Sequence, residues 1–244
     1  MNKTRIAQCA VLACGIACLS ATVTDDFTAA GVSTAWQMRA FSGGAVTESG
    51  GKLLFSSLSS AAESAARNGS VAGYLCKTHK LVLTQPWTME MDYALTLPAM
   101  VGDNSAGAGG IIQFGYTAAT ASTLPRLMNG YTFYACRTSA GYRLMLSQFS
   151  NGEFIDGEET IVIPSSGRIK LVYTSSPDAL KIYVNNVLKR TYASFRTQYA
   201  SQYTGTAHFG IGGASVEETS FHTFSNKVSI DNFTISGNGV VTGQ

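Results

Sequence analysis

Residues 227–239 read KVSIDNFTISGNG, and how this run is taken decides the fold. Under strand alternation Val228 and Ile230 share one face, whereas Phe233 and Ile235 share the other. A regular strand would therefore bury half of these apolar side chains and expose the rest. One extra residue at Asp231-Asn232, a β-bulge, returns Phe233 and Ile235 to the core side. The run then reads as one strand of a half-buried sheet, close to the end of the chain. In a sandwich the last strand often lies beside the first. The stretch TDDFTAAGVSTAWQ (residues 24–37) supplies that first strand.

The rest of the chain supports this reading. WTMEMDYALTL (87–97) alternates, with Met89, Met91, Tyr93, Leu95 and Leu97 opposite Glu90, Asp92, Ala94 and Thr96. GGIIQFGY (109–116) sets Ile112, Phe114 and Tyr116 against Ile111 and Gln113. NGYTFYACR (129–137) and GYRLMLSQF (141–149) form a pair joined by a turn at 138–141. GRIKLVYT (167–174) points Ile169, Leu171 and Tyr173 inward. ALKIYVNNVLKRTY (179–192) is a hairpin turning at Asn185-Asn186, residues that tolerate positive φ. Helical periodicity is confined to AAESAAR (61–67). The expectation is roughly ten to twelve strands in an antiparallel, all-β sandwich or jelly roll. Residues 98–123, apart from their strand, and 194–206 read as the long loops.

The first residues stand apart. Lys3 and Arg5 precede a mostly apolar run, Ile6 to Leu19, followed by the small Ser20, Ala21 and Thr22. This is the layout of a secretory signal peptide, placed at 1–21, with the exported domain at 22–244. The run falls short of the about 20 residues a membrane span needs, so no membrane insertion is expected after cleavage. The 17 Lys and Arg of the whole chain, less Lys3 and Arg5, balance its 15 acids. A neutral exported part offers no field for nucleic acid or an anionic membrane. About 220 residues suffice for one all-β domain with a substantial core. The expected location is secreted, extracellular or periplasmic. Of the five cysteines, Cys9, Cys14 and Cys18 lie in the leader. Cys76 and Cys136 remain, and in an oxidising compartment they pair as one disulfide. Closing a loop of about 60 residues would stabilise by about 4 kcal/mol.

The order of these segments carries a resemblance. DDFTAAGVSTAWQ, GGAVTESGGKLLF, WTMEMDYAL, AGGIIQFGY, GRIKLVYTSSPDALKIYVNNVLKRTY, AHFGIGG and VSIDNFTIS together resemble the concanavalin A-like lectin/glucanase superfamily, in particular its laminin-G-like and keto-disaccharide-hydrolase-like bacterial branches. The resemblance spans nearly the whole exported chain. It implies a jelly roll of two curved antiparallel sheets. It implies no single activity, since that fold carries lectins, glycosidases, lyases and adhesion modules.

Candidate chemistry follows from residue types and spacing. The superfamily's retaining glucanases place carboxyls about 5 Å apart across the sugar, in a Glu-x-Asp-x-(x)-Glu pattern. Glu90 and Asp92 share a polar face as catalytic candidates, but Ala94 stands where a third acid would complete the pattern. In NGEFIDGEET (151–160), Glu153 and Asp156 fall on opposite faces of any strand, and Gly152 and Gly157 suggest a turn. His79, His208 and His222 have no metal-ligand spacing. A lyase needs a His or Tyr base near an Arg and a Gln or Asn that neutralise a uronate. Gln113, Tyr134, Arg143 and His208 supply those types if one sheet face gathers them. Glycan binding needs exposed rings beside fixed polar groups, and Gln113, Tyr134, Arg143 and Ser147 are the candidates. Trp36 and Trp87, at strand starts, read as core or rim packing. No cofactor is expected, although the resemblance leaves room for a calcium ion held by Asp103 or Asp231, hard oxygens beside turns or bulges. The expectation is a secreted, non-catalytic module that binds a glycan or surface polymer. The alternatives are a glycan-active hydrolase or lyase, and a structural or adhesive protein that binds another protein.

Overall fold

The computed structural model describes residues 21–28, 36–41, 44–57, 71–76, 78–96, 108–116, 129–138, 140–150, 153–157, 161–199, 206–216 and 226–242. The leader expected at 1–21 lies outside them up to residue 20, as do the helix-like 61–67, Asp103 and His222. Strands β1 to β18 are numbered in chain order, with one short helix, α1 (Phe195–Tyr199).

The strands form two sheets. The eight-stranded sheet runs β15 (Val187–Ala193), β14 (Asp178–Val184), β13 (Ser166–Ser175), β7 (Trp87–Thr96), β17 (Asn226–Gly237), β4 (Leu53–Ser57), β3 (Gly44–Glu48), with β1 (Ala21–Asp25) also beside β17. The ten-stranded sheet runs β11 (Glu153–Gly157), β10 (Gly141–Ser150), β9 (Asn129–Thr138), β8 (Ala108–Tyr116), β16 (Thr206–Val216), β5 (Val71–Cys76), β2 (Trp36–Phe41). Beside it, β12 (Ile161–Val162) pairs with β10, β6 (His79–Val82) with β16, and β18 (Val240–Thr242) with β6. Each pairing along both paths is antiparallel.

The bulge falls where the sequence places it. Asp231 pairs with Asp92 and Thr234 with Glu90, so three steps along β17 match two along β7. Asn232 takes φ +47° there, a left-handed conformation that Asn tolerates better than most residues. Val228, Ile230, Phe233 and Ile235 are all buried. The bulge is also a change of neighbour. Upstream of it β17 pairs with β4, and downstream with β1. The first strand thus lies beside β17, as expected, although one more short strand, β18, follows β17 in the chain.

The core sits between the sheets. Trp36 and Phe209 of the ten-stranded sheet meet Phe233 of the other. The Trp36 ring lies edge-on to Phe233 at 5.3 Å and to Phe209 at 6.3 Å, a geometry aromatic pairs favour. Trp87 stacks on Tyr173 at 5.8 Å, and Phe195 of α1 leans on Tyr173. The indole of Trp36 donates to Asp25 Oδ2 at 2.6 Å, and Asp25 Oδ1 accepts the Phe27 amide at 2.8 Å. That is the physical content of the DDF…W opening, because a buried indole N–H needs an acceptor. Tyr142 joins the sheets at one end by donating to the Leu95 carbonyl.

Four expectations change. The disulfide is not formed, and Cys76 is a free, buried thiol. Burial raises its pKa. Strands β16 and β8 stand between β5 and β9, so at about 4.8 Å per strand Cys76 and Cys136 lie well beyond the about 7 Å a disulfide can bridge. Cys76 pairs with the core residue Trp36, whereas Cys136 pairs with Arg143 and occupies the opposite face. Glu153 to Gly157 is a strand with a bulge against β10 instead of a turn. The expected loop at 194–206 begins with α1, whose first amides donate to the Asp178 carboxylate. The strand number also exceeds expectation, because short edge strands such as β12 and β18 carry too few residues to show a period.

Candidate functional site

Two outer faces carry the residues singled out in the sequence. On the eight-stranded sheet the alternation of β7 leaves Glu90 and Asp92 outside while Met89, Met91 and Tyr93 are buried. Antiparallel register sets Arg168 opposite Asp92 and Lys170 opposite Glu90. Arg168 reaches both acids, at 3.3 Å to Glu90 Oε2 and 3.0 Å to Asp92 Oδ1. Its partial desolvation opposes its charge, but the Asp92 hydrogen bond and the two carboxylates outweigh that and raise its pKa. From the bulge, the Asn232 side-chain amide donates to Asp92 Oδ2 at 2.7 Å, and the Asn232 backbone amide donates to Asp231 Oδ1. The hairpin turn at Asn185-Asn186 has the expected positive φ at both residues, and Asn185 Oδ1 accepts the Arg168 amide at 2.8 Å. A side chain at Gly167 would collide with Asn185, so the glycine is what lets the turn seat there.

This arrangement consumes the acids. A general acid needs a raised pKa and a general base or nucleophile needs a free lone pair aimed at substrate. Here both carboxylates are engaged by one guanidinium. Asp231, the calcium candidate within the described residues, lies beside this clamp, and its Oδ1 accepts the Asn232 amide. Among the described residues no three His, Cys, Asp or Glu side chains gather as a metal-ligating group.

The ten-stranded sheet places the binding candidates otherwise. Phe133, Ala135, Leu144 and Leu146 are buried, so the alternate positions of β9 and β10 occupy the outer face. Ser147 pairs with Thr132 and Thr132 with Gln113. Tyr134 pairs with Met145 one row along, and Arg143 with Cys136 one row further. Gln113, Ser147, Tyr134 and Arg143 therefore fall on one face within three adjacent rows, which alternation within single strands could not establish. His208 lies between the buried Ala207 and Phe209 and so takes a position on the same face. The side chain of Arg143 is partly buried, and among the described residues it makes no ion pair. Sequence reasoning missed the clamp of Arg168 and Asn232. Its signal was present in the two outward cations of GRIKLVYT matching the two outward acids of WTMEMDYAL.

No family model and no curated protein matches this chain. Solved structures do. The Emp47p carbohydrate recognition domain aligns at TM-score 0.56 and 14% identity, over 88% of this chain and 94% of that one. Peanut lectin aligns at TM-score 0.55 and 10% identity, over 92% and 99%. An endo-1,3-beta-glucanase from Streptomyces sioyaensis aligns at TM-score 0.55 and 15% identity, over 92% and 97%. The chain thus has the concanavalin A-like jelly-roll fold, as its segment order implied.

Proposed function

We propose that this chain is an exported, non-catalytic module that binds a glycan or surface polymer on the outer face of its ten-stranded sheet. The carrying observation is the co-location of Gln113, Ser147, Tyr134 and Arg143 on that face, a ring with polar and charged neighbours of the kind sugars need. The fold supports the reading, since a carbohydrate recognition domain and a lectin share it. The engagement of Glu90 and Asp92 by Arg168 weighs against the hydrolase alternative on the opposite face. The test is a glycan array probed with the purified protein, with and without calcium, followed by product analysis on each glycan bound. Binding without products is the expected result. Released oligosaccharides would replace this reading with the hydrolase or lyase. Silence across the array would replace it with protein adhesion.

A further inference from the structure

The paired positions define the outer face of the ten-stranded sheet row by row. One row crosses six strands as Ser147, Thr132, Gln113, Gly210, Leu75, Gln37. The next row holds Met145 and Tyr134 on β10 and β9, with Gly110 opposite Tyr134 on β8. On the far side it holds Gly212, Gly73 and Arg39. Arg143 lies one row beyond Met145, beside Cys136 and Ala108. The positions between the two arginines thus combine four glycines and several polar residues with Leu75, Met145 and one tyrosine. Glycine positions let a ligand approach the backbone closely.

The charge on this face is one-sided. Arg39 and Arg143 occupy paired positions, and among the described residues no Asp or Glu does so on this face of β2, β5, β16, β8, β9 or β10. The opposite outer face mixes both signs: Glu90, Asp92 and Asp231 share it with Arg168, Lys170 and Lys181. Acids and cations are thus mixed on the eight-stranded face, whereas of the charged residues only cations take paired outward positions on these six strands of the other. Five strand spacings separate β2 from β10, about 24 Å along the sheet at about 4.8 Å each. One carboxylate cannot reach both cations. A polymer with repeating negative charge can.

We infer that this face binds an anionic polysaccharide, with Arg39 and Arg143 as the charge partners at its two ends and Tyr134 as the stacking ring between them. The inference rests on the proposed glycan-binding reading and adds the ligand's charge. Carboxylate and sulfate groups present the same chemistry to a guanidinium, and the experiment separates them.

The experiment is calorimetric titration of the purified protein with polygalacturonate, its fully methyl-esterified form, dextran sulfate and neutral dextran, repeated across salt concentrations. The proteins compared are wild type, R39Q, R143Q, the double variant and R168Q, each checked for a cooperative melting transition. The expected result is binding of polygalacturonate or dextran sulfate and not of the neutral partners. Affinity should fall roughly tenfold or more in each of R39Q and R143Q, fall with salt, and stay unchanged in R168Q. Polygalacturonate alone binding assigns a uronate polymer, and dextran sulfate alone assigns a sulfated one. Equal binding of neutral and charged polymers, with R39Q and R143Q unaffected, would overturn the charge inference and keep the glycan-binding reading. If these four polymers fail and a glycan array is also silent, the glycan-binding reading itself fails.

Discussion

Two arginines, one on each outer face, define the contrast in this molecule. Arg168 lies on the eight-stranded sheet between Glu90 and Asp92, at 3.3 and 3.0 Å, with Asn232 completing the Asp92 carboxylate. Arg143 lies on the ten-stranded sheet beside Cys136 and Val162 in register, without an ion pair among the described residues. The first arginine's charge is satisfied inside the protein, whereas the second has no ion-pair partner among the described residues, as the proposed binding face requires. Charged groups on one sandwich therefore mean different things depending on what the neighbouring strand brings, and strand order decides that.

The contrast depends on a platform common to both faces, and removing Asn232 would destroy it. Deleting this one residue erases the bulge and turns Phe233 and Ile235 out of the core. The expected outcome is loss of cooperative folding, read as loss of the thermal transition by calorimetry. A normal transition in the deletion variant would show that β17 tolerates either register.

A smaller effect tests how the linker after β12 is held against the eight-stranded sheet. Tyr93 lies in the core and donates to the Pro164 carbonyl at 3.2 Å, and burial pushes its pKa up to about 12. An unfolded tyrosine ionises near 10, so between pH 10 and 12 the unfolded state loses a proton that the folded state keeps. Stability is then fully present below pH 10 and falls as pH rises, by on the order of 2 kcal/mol. Denaturant titrations across that range should show the decline, and Y93F should flatten it. The same slope in both proteins would assign the decline to other groups.

Arg168 is the next and weaker lever. Its ion pairs are more than a third exposed on the arginine side, so screening by solvent limits their worth to about 1 kcal/mol or less. R168L should lower stability by that amount in dilute buffer and by less in 1 M salt, where charge interactions are screened. A salt-independent loss would mean that the aliphatic stem, not the charge, supports the face. The smallest stability effect belongs to Arg143. R143Q should stay within about 0.5 kcal/mol of wild type in denaturant titration, because among the described residues no ion-pair partner loses a contact. A loss as large as that of R168L would reveal a structural role and collapse the contrast between the two faces.

Much of this was legible in the residues. The alternation of residues 87–96, the turn at Asn185-Asn186 and the inward Ile169, Leu171 and Tyr173 are local patterns, and each holds in the structure. The bulge was legible too, because four large apolar residues in one strand cannot all be buried without it. The site was legible only in its residue types. Gln113, Tyr134, Arg143 and Ser147 come from three strands, and each strand reports its own alternation and nothing about its neighbours.

The sequence by itself determined the all-β class, the inward faces of the principal strands and the β17 bulge, since side-chain alternation is a property of consecutive residues. Only the tertiary structure decided which strands are adjacent. That order set β16 and β8 between Cys76 and Cys136, brought Arg168 to Glu90 and Asp92, and gathered the binding candidates into three rows. The physical reason is that strand order and register are settled by packing between residues far apart in the chain, so neither is written in any one segment.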